Sequence, residues 1–162
     1  MDKTKNSPIK LTKLEWIMAL LFAPGQTGKI REPIEGRLKI MKELFVIERE
    51  LKPSNFYSFN PYLYGAYSRE VFKDLSELLR NNLIKVTNEY KEGYGTYTLT
   101  EKGEEMIAEK YRLLSEDVRK KIEEIKKELN NLSFLELLTK VYGKYPEFAK
   151  NSMVRIPKEL NL

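Results

Sequence analysis

Tyr62-Leu63-Tyr64-Gly65-Ala66-Tyr67-Ser68 opens the stretch on which the reading of this chain turns, and Leu99-Thr100-Glu101-Lys102-Gly103 closes it. Between them Val71, Phe72, Leu75, Leu78 and Leu79 recur at i, i+1, i+4, i+7 and i+8, which predicts an amphipathic helix over about 68–82 with Ser68 as its N-cap. Ile84 and Val86 alternate with Lys85 and Thr87, and Tyr97 and Leu99 alternate with Thr96 and Thr98. That period of two predicts a pair of strands joined through residues 88–95. Another helix starts at Thr100.

Helix, two-stranded hairpin and helix in this order predict a winged helix-turn-helix, with the hairpin as its wing. Upstream, Thr12-Lys13-Leu14-Glu15 matches a capping box. The first helix runs from there to about Phe22, with Leu14, Ile17, Met18 and Leu21 inward and Trp16 and Leu20 on a second buried flank. Residues 25–33 read as a polar loop. Ile40, Leu44, Ile47 and Leu51 mark a second helix from about 34 to 51, stopped by Pro53. The aromatic-rich residues 56–67, interrupted by Pro61 and Gly65, predict an extended segment and a turn.

Downstream, Ile107, Tyr111, Leu114, Val118, Ile122, Ile125, Leu129 and Leu132 follow one another at spacings of three and four. Ser115-Glu116-Asp117 restarts the helix, and Ser133-Phe134-Leu135-Glu136 is a second capping box opening a final helix that ends near Gly143. The expected class is therefore α+β and mostly helical. Residues 1–10 form a flexible basic arm, 11–114 the winged-helix domain and 115–162 a C-terminal helical extension.

Composition narrows the function. The chain has 162 residues, 41% hydrophobic and 33% charged, which suits one globular domain or a small domain with an extension. The longest apolar run, 16–23, is far short of a membrane span, and the N-terminus shows no secretory pattern, so cytoplasmic residence is expected. Cys and His are absent, which removes disulfides, thiolate chemistry and most catalytic metal and acid–base sites. No cofactor or metal is expected, and no nucleophile or tuned pair can be assembled, so an enzyme is not expected. Richness in Lys, Glu, Ile and Tyr leans toward a thermophilic source. The net charge of +5 permits attraction to phosphates.

The residues Phe59, Tyr62 and 64–68, the helix end Leu78-Leu79-Arg80-Asn81-Asn82-Leu83-Ile84, and Tyr97-Thr98-Leu99-Thr100-Glu101-Lys102-Gly103 resemble the YwgA-like family of bacterial and archaeal proteins. The resemblance covers roughly residues 11–110, including a second helix matching Gly36-Arg37-Leu38 to Phe45. It implies a winged helix in which a Tyr-Gly-Pro-Tyr-Ser turn precedes the third helix, with Ala66 standing here in the place of that Pro. Val141-Tyr142-Gly143-Lys144-Tyr145-Pro146-Glu147-Phe148 looks like a C-terminal motif of some archaeal relatives. More distantly, the pattern is similar to the Panacea domain of toxin-neutralising antitoxins. The Leu-Thr-Glu-Lys-Gly ending is similar to that of PadR-like and MarR-like regulators.

A DNA-binding winged helix reads the major groove with its third helix, here through Arg69, Lys73, Ser76 and Arg80. Lys85 and Lys91 of the wing would touch backbone, with Lys29, Arg31, Arg37 and Lys39 giving peripheral phosphate contacts. Against this, Glu70, Asp74 and Glu77 cancel the third helix's positive charges, and Glu89 and Glu92 cancel those of the wing. The surplus lies in residues 28–42, where Lys29, Arg31, Arg37, Lys39 and Lys42 face only Glu32 and Glu35. Double-stranded DNA is thus the first expected partner and transcriptional regulation the expected role. The alternative is an interaction module, antitoxin-like, whose neutral third helix packs on a partner protein.

Three further features carry a functional and a plain reading. Gly25-Gln26-Thr27-Gly28-Lys29 hints at a phosphate loop, but Ala23 and Ile30 stand where the loop requires Gly and Ser or Thr, so a connector is expected. The aromatics of 56–67 can stack on bases or fill the core, and packing under the third helix is expected. The heptad seam Val118, Ile122, Ile125, Leu129 and Leu132 admits a dimeric coiled coil or a helix folded back on its own domain beside Trp16 and Leu20. A homodimer built from these helices is the expectation.

Overall fold

Side-chain caps start the helices where the sequence places them. Thr12 Oγ1 accepts the Glu15 amide at 3.2 Å while the Glu15 carboxylate accepts the Thr12 amide at 2.9 Å, opening α1, Lys13–Phe22. Ser133 and Glu136 form the same reciprocal pair at the last helix. The computed structural model describes residues 10–62, 65–88 and 95–152, and within them the chain is mostly helical α+β. After α1 come β1 (Ile34–Glu35), α2 (Arg37–Leu51), β2 (Asn60–Tyr62), β3 (Gly65–Tyr67) and α3 (Arg69–Arg80). Then follow β4 (Ile84–Thr87), β5 (Thr96–Leu99), α4 (Glu101–Leu113), α5 (Glu116–Leu129), α6 (Phe134–Lys144) and a 3-10 turn, Pro146–Phe148.

β1 is a correction to the expected helix over 34–51. Ile34 pairs with Tyr97 and Glu35 with Thr96, so β1 adds to the β4–β5 hairpin in the antiparallel order β1-β5-β4. Gly36 then turns the chain at φ 98°, a left-handed conformation that glycine adopts without strain, and α2 starts at Arg37. Two residues are too few to show a period of two. The extended segment before α3 closes into its own hairpin, β2–β3, with Asn60 opposite Tyr67. Ser68 occupies the N-cap of α3, but its hydroxyl makes no capping bond; its amide donates to Met41 Sδ at 3.2 Å.

The Leu99–Gly103 stretch works as a clasp on the turn between α3 and β4. The Thr100 amide donates to Leu83 O at 3.0 Å, its hydroxyl donates to Asn82 O at 2.7 Å, and Thr100 Oγ1 in turn accepts the Gly103 amide at 3.0 Å. Lys102 Nζ reaches Asn81 O at 3.2 Å, and Leu99 is fully buried. A Cβ on Gly103 would stand 2.1 Å from Leu83 O, so only glycine lets α4 cross this close.

α2 is the central helix, buried without a break from Ile40 to Ile47. It packs on β3, α5 and α6, while α1 packs on α4 and α3. The C-terminal motif belongs to this core: the rings of Tyr145 and Phe148 meet Phe45 at 5.2 and 4.6 Å. The heptad seam is spent inside the chain. Ile122, Ile125 and Leu129 are buried within the single chain, and Val118 and Leu132 pack against the same core. The single chain thus buries Ile122, Ile125 and Leu129 itself and folds the seam back onto its own core. Residues of 115–152 join one hydrophobic cluster with the first helices.

Candidate nucleic-acid interface

The charges of α3 cancel in a linear count, yet the helix separates them. At about 100° per residue, positions 69, 73, 76 and 80 fall within about 60° of one another, and 70, 74 and 77 centre about 100° away. Arg69, Lys73, Ser76 and Arg80 are all exposed. The acids are drawn to the body of the molecule: Glu70 accepts Lys13 Nζ from α1 at 3.1 Å, and Asp74 accepts Tyr57 OH at 2.7 Å. Val71, Leu75 and Leu78 fill the opposite, buried side. Glu77 pairs with Arg80 at 2.6 Å along the border between the two stripes.

Tyr57 is 2% exposed, and its burial together with the Asp74 carboxylate pushes the phenol well above its ordinary range, so it stays a donor. Tyr57→Phe is expected to lower stability by about 1 kcal/mol in urea denaturation, the net value of one hydrogen bond. It also frees Asp74 beside the basic stripe.

The basic stripe continues onto α2. The Arg37 guanidinium lies 4.4 Å from the Phe72 ring centroid, on the flank of α3 away from the acids. Lys85, on β4 opposite Thr98, and Lys29, in the loop after α1, are exposed. Two other expected phosphate contacts are engaged within the chain. Arg31, at φ 62°, pairs with Glu104 at 3.0 Å and donates to Leu99 O at 2.8 Å; Lys39 donates to Asn130 O and Leu132 O at 3.0 and 2.7 Å. Lys91 lies outside the described residues. With Lys42 also buried, the surplus counted over residues 28–42 shrinks at the surface to Lys29 and Arg37.

The Gly25–Lys29 loop does form an anion nest, and the chain fills it itself. The Glu32 carboxylate accepts the amides of Gly25, Gln26 and Thr27 at 3.1, 3.0 and 2.7 Å, the Thr27 hydroxyl at 2.7 Å and Asn130 Nδ2 at 2.6 Å. Burial alone would raise this carboxyl, but the donors from Thr27, Asn130 and Gln26 outweigh it and hold it at about 2. No nucleotide phosphate competes for these amides while Glu32 holds them.

Three more ionisable side chains lie buried around α2, and linear reading gave no sign of them. Lys126 of α5 is fully buried and donates to Leu20 O and Ala23 O at 2.7 Å and to Leu21 O at 3.4 Å, satisfying carbonyls that the end of α1 leaves open. Burial pulls its ammonium down to about 8, partly offset by Glu43 and Glu32. Glu43 is 0% exposed and neither carboxyl oxygen has a hydrogen-bond partner; burial lifts it to about 8 despite Lys126 and Lys39. Lys42 is 1% exposed and donates to Ala66 O at 2.9 Å, and burial pulls it down to about 7.

Lys42 also lines a half-open cavity of about 490 Å³ bordered by the start of α2, the β2–β3 hairpin, Phe72 of α3 and the α5–α6 junction. Of the aromatics of 56–67, Phe56, Tyr57 and Phe59 are in the core, as expected; Tyr62, half exposed, and Tyr67 stack at 4.9 Å along this cavity. Among the described residues, no cluster of acids could hold a metal and no helix is long and apolar enough to cross a membrane. Comparison with family models, with curated proteins and with solved structures finds no match.

Proposed function

We propose that this chain is a winged-helix DNA-binding protein of the YwgA-like type, a cytoplasmic transcriptional regulator whose α3 enters the major groove. The observation that carries the reading is the segregation of charge on α3. Its cations share one exposed stripe, and Glu70 and Asp74 are turned onto Lys13 and Tyr57. The order of elements supports it: α1, β1, α2, α3 and a hairpin whose second strand pairs with β1 is the order of a winged helix-turn-helix, here with an added β2–β3 hairpin ahead of α3. Arg37, stacked on Phe72, extends the stripe toward a flanking phosphate, and Lys85 of the wing reaches the backbone on the other side.

Such an interface is dominated by counterion release. Affinity for a labelled duplex of mixed sequence is expected to fall steeply with salt, and the Arg69→Ala/Lys73→Ala double variant is expected to flatten the log–log slope by about 2. Lys120→Ala, on α5, leaves both affinity and slope unchanged. Fluorescence anisotropy at several salt concentrations measures this. Absence of binding at about 50 mM salt removes the reading and leaves the stripe to an acidic partner protein.

A further inference from the structure

We propose that the cavity between α2, the β2–β3 hairpin and α6 is a binding site for a small aromatic carboxylate. Its volume of about 490 Å³ falls within the range of pockets that enclose small organic ligands. Its walls are of two kinds. Tyr67 meets Phe72 edge-on at 5.6 Å and Tyr62 at 4.9 Å, giving one aromatic side against which a flat apolar body packs. Lys42, Lys39 and Arg37 line the same space, in which Glu35 is the one carboxylate among the lining residues.

The deep charge is Lys42. It is 1% exposed, has one acceptor, Ala66 O, for three N–H protons, and no carboxylate among the described residues pairs with it. A buried ammonium without a counter-charge is costly, and an anion delivered through the cavity supplies what the fold omits. The other cations leave room for it. Lys39 hydrogen-bonds two backbone carbonyls, with Glu43, Glu35 and Glu136 acting on it only through their charge, and Arg37 lies over the Phe72 ring. The α2 N-terminus opens into the same cavity with glycine at its cap, no side-chain cap and no acid in its first turn, so the positive end of a 15-residue helix faces it with Glu35, just before the cap, as the nearest acid in sequence. The hairpin sits close because Gly65 has no side chain: a Cβ there would stand 3.1 Å from Lys42 Cε. One deeply buried ammonium and one aromatic wall select a monoanion with a planar body over a compact dianion.

The site does not depend on the nucleic-acid reading, and the two are tested by separate titrations. Calorimetry of the full chain with 1-naphthoate, 1-naphthamide and inorganic phosphate at millimolar concentration is the test. The carboxylate is expected to bind, the amide to bind at least on the order of tenfold more weakly, and phosphate not to compete. Lys42→Met, which keeps the bulk of the side chain, is expected to lose the preference for carboxylate over amide. Amide NMR shifts on the unsubstituted protein should move at residues 36–39 and 65–67 and stay still along α4, which keeps the test open if Lys42→Met does not fold. Equal binding of acid and amide, shifts confined elsewhere, phosphate displacing the carboxylate, or no binding of 1-naphthoate at all each overturns the proposal.

Discussion

Gly103→Ala is expected to lower the urea midpoint sharply, at a cost of about 3 kcal/mol. The new Cβ would lie 2.1 Å from Leu83 O and 2.9 Å from Leu99 Cδ1. Neither neighbour can give way cheaply. Leu83 O is fixed by the Thr100 amide at 3.0 Å, and Leu99 is fully buried. Relief requires α4 to move off the α3–β4 turn, which breaks the Thr100 and Lys102 bonds to Asn82 O and Asn81 O. Gly143→Ala is the matching control: nothing lies within 4 Å of its Cβ position in α6, and the change is expected to stabilise by roughly 0.5 kcal/mol through helix propensity. Equal midpoints for the two variants would contradict the clasp.

Glu32→Ala carries the other large effect, and it depends on pH. A carboxyl held at about 2, against 4.5 when unfolded, favours the folded chain by roughly 3 kcal/mol wherever it is ionised in both states. That contribution is complete above about 4.5 and fades as pH falls through 2, because the unfolded chain takes up the proton first. At pH 7 the variant should therefore be less stable by roughly 3 kcal/mol, with the Gly25, Gln26 and Thr27 amides left without their acceptor. The gap should narrow in urea titrations toward pH 2. Glu43 has the opposite dependence: its raised carboxyl lowers stability as pH rises from 4.5 to about 8. Loss of the Glu32 charge also eases the raised Glu43 carboxyl, so the gap between the two proteins carries a further change between 4.5 and about 8, above the window in which Glu32 itself titrates. A gap that stays constant with pH would mean the nest does not hold an ionised Glu32.

What was legible in the sequence is what is encoded over a few residues. The reciprocal caps at Thr12 and Ser133 are satisfied within one turn, and the apolar stripe of α3 and the alternation of β4 and β5 are periodic over their own lengths. What was not legible depends on neighbours far along the chain. β1 is a strand only because Tyr97 and Thr96 pair with it. Lys42, Glu43 and Lys126 look like surface charges in the linear string and are buried because α5, α6 and the hairpin enclose α2 from several sides. A linear count of charges carries no angle, and the surface departs from it in both directions. It cancelled Arg69 and Lys73 against acids that face elsewhere, and it credited residues 28–42 with cations that the fold consumes.

Lys126 has a consequence for how the chain is made. Its ammonium closes carbonyls 106, 105 and 103 residues earlier, so the end of α1 waits for a side chain synthesised long after it. Contacts of that separation delay folding, because the loop must close before the bond returns anything. A ribosome-bound chain that has exposed α1 to α4 still lacks the α5 and α6 residues that cover α2. The core therefore closes only once α5 and α6 have emerged, and until then the nascent chain presents an apolar α2 to chaperones and proteases.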